Sequence, residues 1–182
     1  MWPSSWAGGN AVLTLLCNMI STGAILYVLI TMLGQLSGAH FNPAVTLAFA
    51  MRGEIGRNAA AAYVVVQMLT GIAGVLIAHA TFDQAIGQVS LRVRASPGQC
   101  VSEVVATSVG LYITSAYLFT ASTSFANPAV KIARAFSDAF ASIRQFDVPA
   151  FLGAQVAGGA LAVLAARALL GWDPVTSAEP AE

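Results

Sequence analysis

The chain has 182 residues, of which 57% are hydrophobic and 9% charged, with a formal net charge of zero. That is too little polar surface to coat a soluble globule, and a mean hydropathy of +0.74 points to a bilayer as solvent. The neutral balance offers no basic field for nucleic acid.

Four runs reach the roughly 20 helical residues that a hydrocarbon core of about 30 Å requires. The first ten residues contain no Lys or Arg, unlike an ordinary signal peptide. The first run, Ala11 to Leu36, is uncharged. It leads into SGAHFNPAVTLAFA, where Asn42 has the character of a helix N-cap and Pro43 suits the first helical position. Pro43 to Met51 is too short to span, so it reads as a re-entrant half-helix. A polar connection, Met51 to Arg57, precedes the second uncharged run, Asn58 to Phe82, and another, Asp83 to Gly98, follows it. The third run is Val101 to Thr120, with Glu103 near its start. STSFANPAVKIARAF comes next, predicting a second half-helix from Pro128 to about Phe136 behind the cap Asn127. After a polar stretch from Lys131 to Asp147, the fourth run is Val148 to Leu170, with Arg167 near its end. A polar tail occupies residues 173–182.

Asn42-Pro43-Ala44 and Asn127-Pro128-Ala129 lie 85 positions apart, and QMLTGIAGVL from Gln67 answers QVAGGALAVL from Gln155. The chain therefore reads as one membrane domain, 1–182, made of two pseudo-repeats at about 11–82 and 101–171. Each half-helix carries unpaired N–H groups, the positive end of its dipole, into the membrane interior, where cations are repelled. Asn42 and Asn127 add amide donors. Irregular backbone upstream, Gly38 to Phe41 and Ser122 to Ala126, adds carbonyl acceptors. Donors beside a carbonyl ladder suit a neutral hydroxylated solute. Cys17 and Cys100 lie in or beside apolar runs without metal-site or disulfide spacing and read as small buried hydrophobes. No nucleophile–base pair, ligand cluster or phosphate loop appears, so neither an enzyme nor a cofactor is expected.

On these residues the chain resembles the aquaporin and aquaglyceroporin family. SGAHFNPAVT is similar to the family's first pore loop, Glu103 with Thr107 resembles the Glu-x-x-x-Thr that opens its fourth helix, and Gln67 and Gln155 match glutamines in its third and sixth. The resemblance implies a selectivity constriction at Thr22, Ser115, Ser124 and Val130, with Thr22 and Ser115 alternatively bonding back within their helices. Most members carry Arg where Val130 stands, so the opening should be wider and neutral. STSFANPAVKIARAFSDAFASIR resembles a bacterial branch associated with arsenic resistance, whose members are thought to pass metalloid hydroxides such as arsenous acid. The resemblance further implies a multi-pass protein of a bacterial inner membrane, its partners being the lipid bilayer and small neutral solutes, assembled as a homotetramer. Glu103 would brace a pore loop, or sit in the interface. His40 would line the vestibule or bond to backbone, and His79 reads as a satisfied interfacial histidine. Lys131 and Arg134 are expected to face solvent or headgroups, the alternative being that Lys131 partly replaces the missing cation.

The expected fold is thus an all-α, aquaporin-like bundle of about four spanning helices and two half-helices, about two helices short of the family's six. Nothing corresponds to the family's first helix, and its fourth and fifth appear spliced into one. An odd number of crossings must separate half-helices that meet head to head, yet the direct reading shows two. Two crossings would bring both loops in from one face, unless Val101 to Thr120 bends at Gly110 and returns. Two functions follow: a passive channel for small neutral solutes such as water, glycerol-like polyols and arsenous acid, or a truncated, non-conducting remnant or associating subunit. A secondary transporter built on inverted repeats is a distant third.

Overall fold

The computed structural model describes residues 8–108, 126–138 and 142–170, apart from the side chains of 106–108 and 170. Every regular element among them is helical. The order is α1 (Ala11–Ser37), α2 (Pro43–Arg52), α3 (Arg57–Thr81), α4 (Pro97–Ser108), α5 (Pro128–Arg134), a single 3-10 turn (Gln145–Asp147) and α6 (Val148–Leu170). Ser115, Ser124, the polar tail and the end of the third apolar run lie outside the described residues.

Local chemistry sets the boundaries. Asn10 caps α1 by accepting from the backbone N–H groups of Val12 (3.0 Å) and Leu13 (3.1 Å). The helix stops at Gly38, whose left-handed φ of 69° and N–H bond to the Gly34 carbonyl form a glycine C-cap. Both half-helices start at proline, each behind an Asn cap. Among the described residues three stretches are long and apolar enough to cross a membrane: Ala11–Ser37, Arg57–Thr81 and Gln145–Leu169.

Burial is inverted relative to a soluble protein. Tyr27, Leu36, Val65, Leu69, Ile77 and Leu169 are exposed, whereas Thr46, Glu103, Lys131, Ser142 and Gln155 have no accessible surface. The outward apolar faces suit lipid chains, and these polar side chains find partners inside.

The direction of the half-helices follows from their contacts along α3 and α6. On α3, Gln67 meets Thr46 of α2, while Gly71, one turn further, lies against Ala129 of α5. On α6, Phe151 lies against Lys131 of α5, Gly159 against Ala44 of α2, and Arg167 donates to the Met51 carbonyl at the end of α2 (3.1 Å). Going up α6 therefore means passing α5 and then following α2 from start to finish. The half-helices run in opposite directions from a shared middle.

This corrects the arrangement in which both loops enter from one face. The described part of Val101 to Thr120 belongs to α4, which lies along the first half of α6: Cys100 packs against the cluster of Ala135, Ile143, Val148 and Phe151, and Glu103 bonds Gln155. By Ala126 the chain is one hydrogen bond from Glu103 (3.1 Å).

The connection between α3 and α4 closes over the outer end of α5. Ser90 N–H donates to the Ala135 carbonyl (3.1 Å), and Arg94 N–H donates to Asp147 (2.7 Å). Arg94 Nε donates to the Ser142 carbonyl (2.8 Å). Burial, then the neighbouring Arg92 and Arg134 charges, lower the Arg94 guanidinium to about 10, so it is still ionised at neutral pH.

Candidate functional site

The two Asn-Pro-Ala tripeptides meet at the centre of the bundle. Each Asn does two jobs with one amide. Its oxygen caps its own half-helix: Asn42 Oδ1 accepts from Ala44 N–H (2.9 Å), and Asn127 Oδ1 from the N–H groups of Ala129 (3.0 Å) and Val130 (3.3 Å). Its nitrogen crosses to the other half: Asn42 Nδ2 donates to the Ala126 carbonyl (2.6 Å) and Asn127 Nδ2 to the Phe41 carbonyl (2.8 Å). The acceptors, Phe41 and Ala126, each directly precede the opposite Asn and hold left-handed φ values of 43° and 40°. L-residues avoid that region, so these conformations persist because the reciprocal bonds hold them. An amide nitrogen has two hydrogens, which leaves each Asn one more donor beyond its cross-bond. Asn42, Asn127 and Val130 are partly exposed, whereas Pro43, Ala44, Pro128 and Ala129 are buried.

Glycines let the helices close on this junction. A Cβ added at Gly71 would meet the Ala129 carbonyl oxygen at 3.4 Å, and one at Gly159 the Ala44 carbonyl at 3.7 Å. Each glycine lies four residues after the glutamine of its own helix and touches the half-helix of the other repeat. That i, i+4 spacing, present in both QMLTG and QVAGG, is the sequence signal for these contacts.

Two polar clusters brace the half-helices from behind. In the first, buried Thr46 Oγ1 donates to the Asn42 carbonyl (3.2 Å), accepts from Gln67 Nε2 (3.2 Å) and lies 3.1 Å from His40 Nδ1. The His40 ring stacks on Phe49 (4.6 Å between centroids) and tilts against Tyr63 (5.2 Å). His40 thus bonds to a side chain rather than to backbone. In the second, Glu103 Oε2 accepts from Ala126 N–H (3.1 Å) and Gln155 Nε2 (2.6 Å), and Glu103 Oε1 lies 3.5 Å from Lys131 Nζ. Glu103 is buried at the loop rather than exposed in the interface. His79 is also buried, with Nδ1 3.3 Å from the Ile86 carbonyl.

Lys131 and Arg134 depart from expectation: both are buried. Four residues past Asn127, Lys131 turns toward α4 and α6, where a carboxylate and the Phe151 ring, 4.0 Å from its ammonium, take the charge. Arg134 lies beneath the α3–α4 connection, near Arg94. Of the four constriction positions, Thr22 is half-buried midway along α1 and Val130 follows the second tripeptide, with Ser115 and Ser124 outside the described residues. Thr46 is the participant the sequence reading did not single out, whereas the Phe41 and Ala126 carbonyls end the two upstream stretches read as acceptors.

Residues 5–114, more than half of the chain, match the family model described as Major intrinsic protein. The chain belongs to the major intrinsic protein family. It is 48% identical over 178 residues to aquaglyceroporin AqpS of Rhizobium meliloti (strain 1021), a match spanning 87% of this chain and 76% of that relative. It is 32% identical over 110 residues to the lens fiber major intrinsic protein of Lithobates pipiens and 34% over the same length to that of Ovis aries. Both of these matches span 60% of this chain and 40% of the relative. Major intrinsic proteins of the aquaglyceroporin kind are membrane channels, not enzymes.

Proposed function

We propose that the chain is a passive channel for small neutral solutes, with its pore passing the junction of the two tripeptides. The observation that carries this reading is the opposition of two half-helix N-termini, each closed by an Asn that is partly exposed and keeps a donor in hand. Two positive dipole ends at one point repel cations and protons, while an amide donor beside carbonyl oxygens replaces the hydrogen bonds a hydroxyl leaves behind in water.

Within that class, polyols and uncharged metalloid hydroxides such as arsenous acid fit better than water alone. Val130 stands directly after the second tripeptide and supplies neither the charge nor the fork of donors of an arginine. Thr22, Ser115 and Ser124 are the other positions we assign to the constriction, and a bacterial inner membrane and a homotetramer are the setting we assign to the chain. Stopped-flow light scattering of proteoliposomes containing only this protein, given glycerol or arsenous acid gradients, tests the reading. Permeability above that of lipid alone supports it; permeability equal to lipid alone assigns the chain to the non-conducting alternative.

A further inference from the structure

The two half-helices open alike with Pro-Ala-Val and diverge at the next position. Four residues after each Asn, a fully buried side chain turns back toward the flanking helices: Thr46 in α2 and Lys131 in α5. The first position is neutral and satisfied by neutral partners. The second carries a charge 3.5 Å from Glu103, with neither side chain accessible to solvent.

Glu103 is not simply an ion partner. Its Oε2 receives Ala126 N–H and the Gln155 amide, and the Ala126 carbonyl in turn receives Asn42 Nδ2. We propose that Lys131 is a positioning residue of the pore, whose ammonium pins Glu103 so that the carboxylate holds Ala126 in its left-handed conformation with its carbonyl on Asn42. The proposal rests on the channel reading for its consequence in transport, but not for its structural content.

Three observations carry it. Among the described residues Glu103 receives donors, Ala126 N–H, Gln155 Nε2 and Lys131 Nζ, which suit two oxygens that accept. Ala126 N–H and Gln155 Nε2 both use Oε2, and Lys131 Nζ lies on Oε1, so the ammonium fixes the oxygen that the other two do not reach. Finally, a φ of 40° at an alanine lasts only where the surroundings over-determine it, and here the N–H is held by Glu103 and the carbonyl by Asn42. Arg94 from the α3–α4 connection and Arg134 on α5 are the other charges facing this pair; α6 presents Phe151 and Gln155, neither of which titrates. Lys131 therefore acts on the solute through Ala126 and Asn42. It does not stand in for a constriction cation, since it is sealed from the pore.

The test uses the whole chain and three variants, Glu103→Gln, Lys131→Met and the double Lys131→Met/Glu103→Gln. Infrared difference spectra against Glu103→Gln report the carboxyl bands of Glu103, and proteoliposome flux reports transport. Lys131→Met should shift those bands from their wild-type positions and reduce flux about tenfold. The double variant should regain most of that flux. Its amide at 103 accepts from Ala126 and donates to Gln155 Oε1, a buried atom without a partner among the described residues. Glu103 bands unmoved in Lys131→Met, with Arg94 and Arg134 intact, overturn the proposal, as does a double variant no better than the single. If Lys131→Met fails to fold, folding of the double variant supports the pairing and its failure refutes it. A wild type without flux removes the channel reading, while the infrared result still decides the role of Lys131.

Discussion

Replacing Asn127 by Ala removes a cap and a cross-link at once, and the two losses separate. The cap serves two N–H groups of a half-helix only seven residues long, which has few other bonds to share the loss, so about 1 kcal/mol is expected from it. The cross-link is the 2.8 Å bond to the Phe41 carbonyl. Losing its donor at a half-buried site costs about 1–2 kcal/mol, partly offset because Phe41 then relaxes from its left-handed φ. The sum is about 2–3 kcal/mol. Asn127→Asp distinguishes the two terms: it keeps the cap oxygen, and its charge gains about 0.3–1 kcal/mol from the helix dipole. It also turns the cross-bond into two acceptors facing each other. Equilibrium unfolding in mixed micelles, followed by circular dichroism, should place Asn127→Asp between wild type and Asn127→Ala. A cycle with Asn42→Ala should show coupling of at least about 0.5 kcal/mol, because both cross-bonds hold one junction. If both Asn127 variants unfold within about 0.5 kcal/mol of wild type, the reciprocal bonds do not hold the half-helices together and the argument built on them fails.

Gly71→Leu should destabilise by about 1–3 kcal/mol in the same assay, since its Cβ already meets the Ala129 carbonyl at 3.4 Å, whereas Gly74→Ala, with open space around its Cβ, should stay within about 0.5 kcal/mol. Thr46→Val removes the partner of Gln67 Nε2 in a helix-packed site where Gln67 Oε1 is already buried without one among the described residues, and should cost about 1–3 kcal/mol. Val130→Arg should lower glycerol permeability about tenfold while changing water permeability much less, measured on one proteoliposome preparation. Equal changes for both solutes would place the constriction elsewhere.

The long helices were legible because their signals are local. Apolar run length located Ala11–Ser37 and Arg57–Thr81 to within a residue at each end and Val148–Leu170 at both ends. Asn followed by Pro marked the start of each half-helix for the same reason: a cap and its first-turn N–H groups lie within three residues of one another. Lys131 was misplaced because the charge that decides its burial, Glu103, is 28 residues away, and helical register alone does not say which face of α5 meets α4. His40 was left open between vestibule and backbone because its partners, Thr46, Phe49 and Tyr63, are all neutral side chains of common types.

By its own content the sequence determined that this is a duplicated, lipid-embedded chain with two short helices capped by Asn, since composition, period and capping act over a few residues and survive without a fold. Tertiary structure alone decided that these short helices point away from each other. Direction is set by packing between residues far apart in the chain: α2 follows α6 from Ala44 at Gly159 to Met51 at Arg167, while α5 meets the start of α6 at Phe151. A stretch of apolar residues records its length in its letters, but not which neighbour it will lie against.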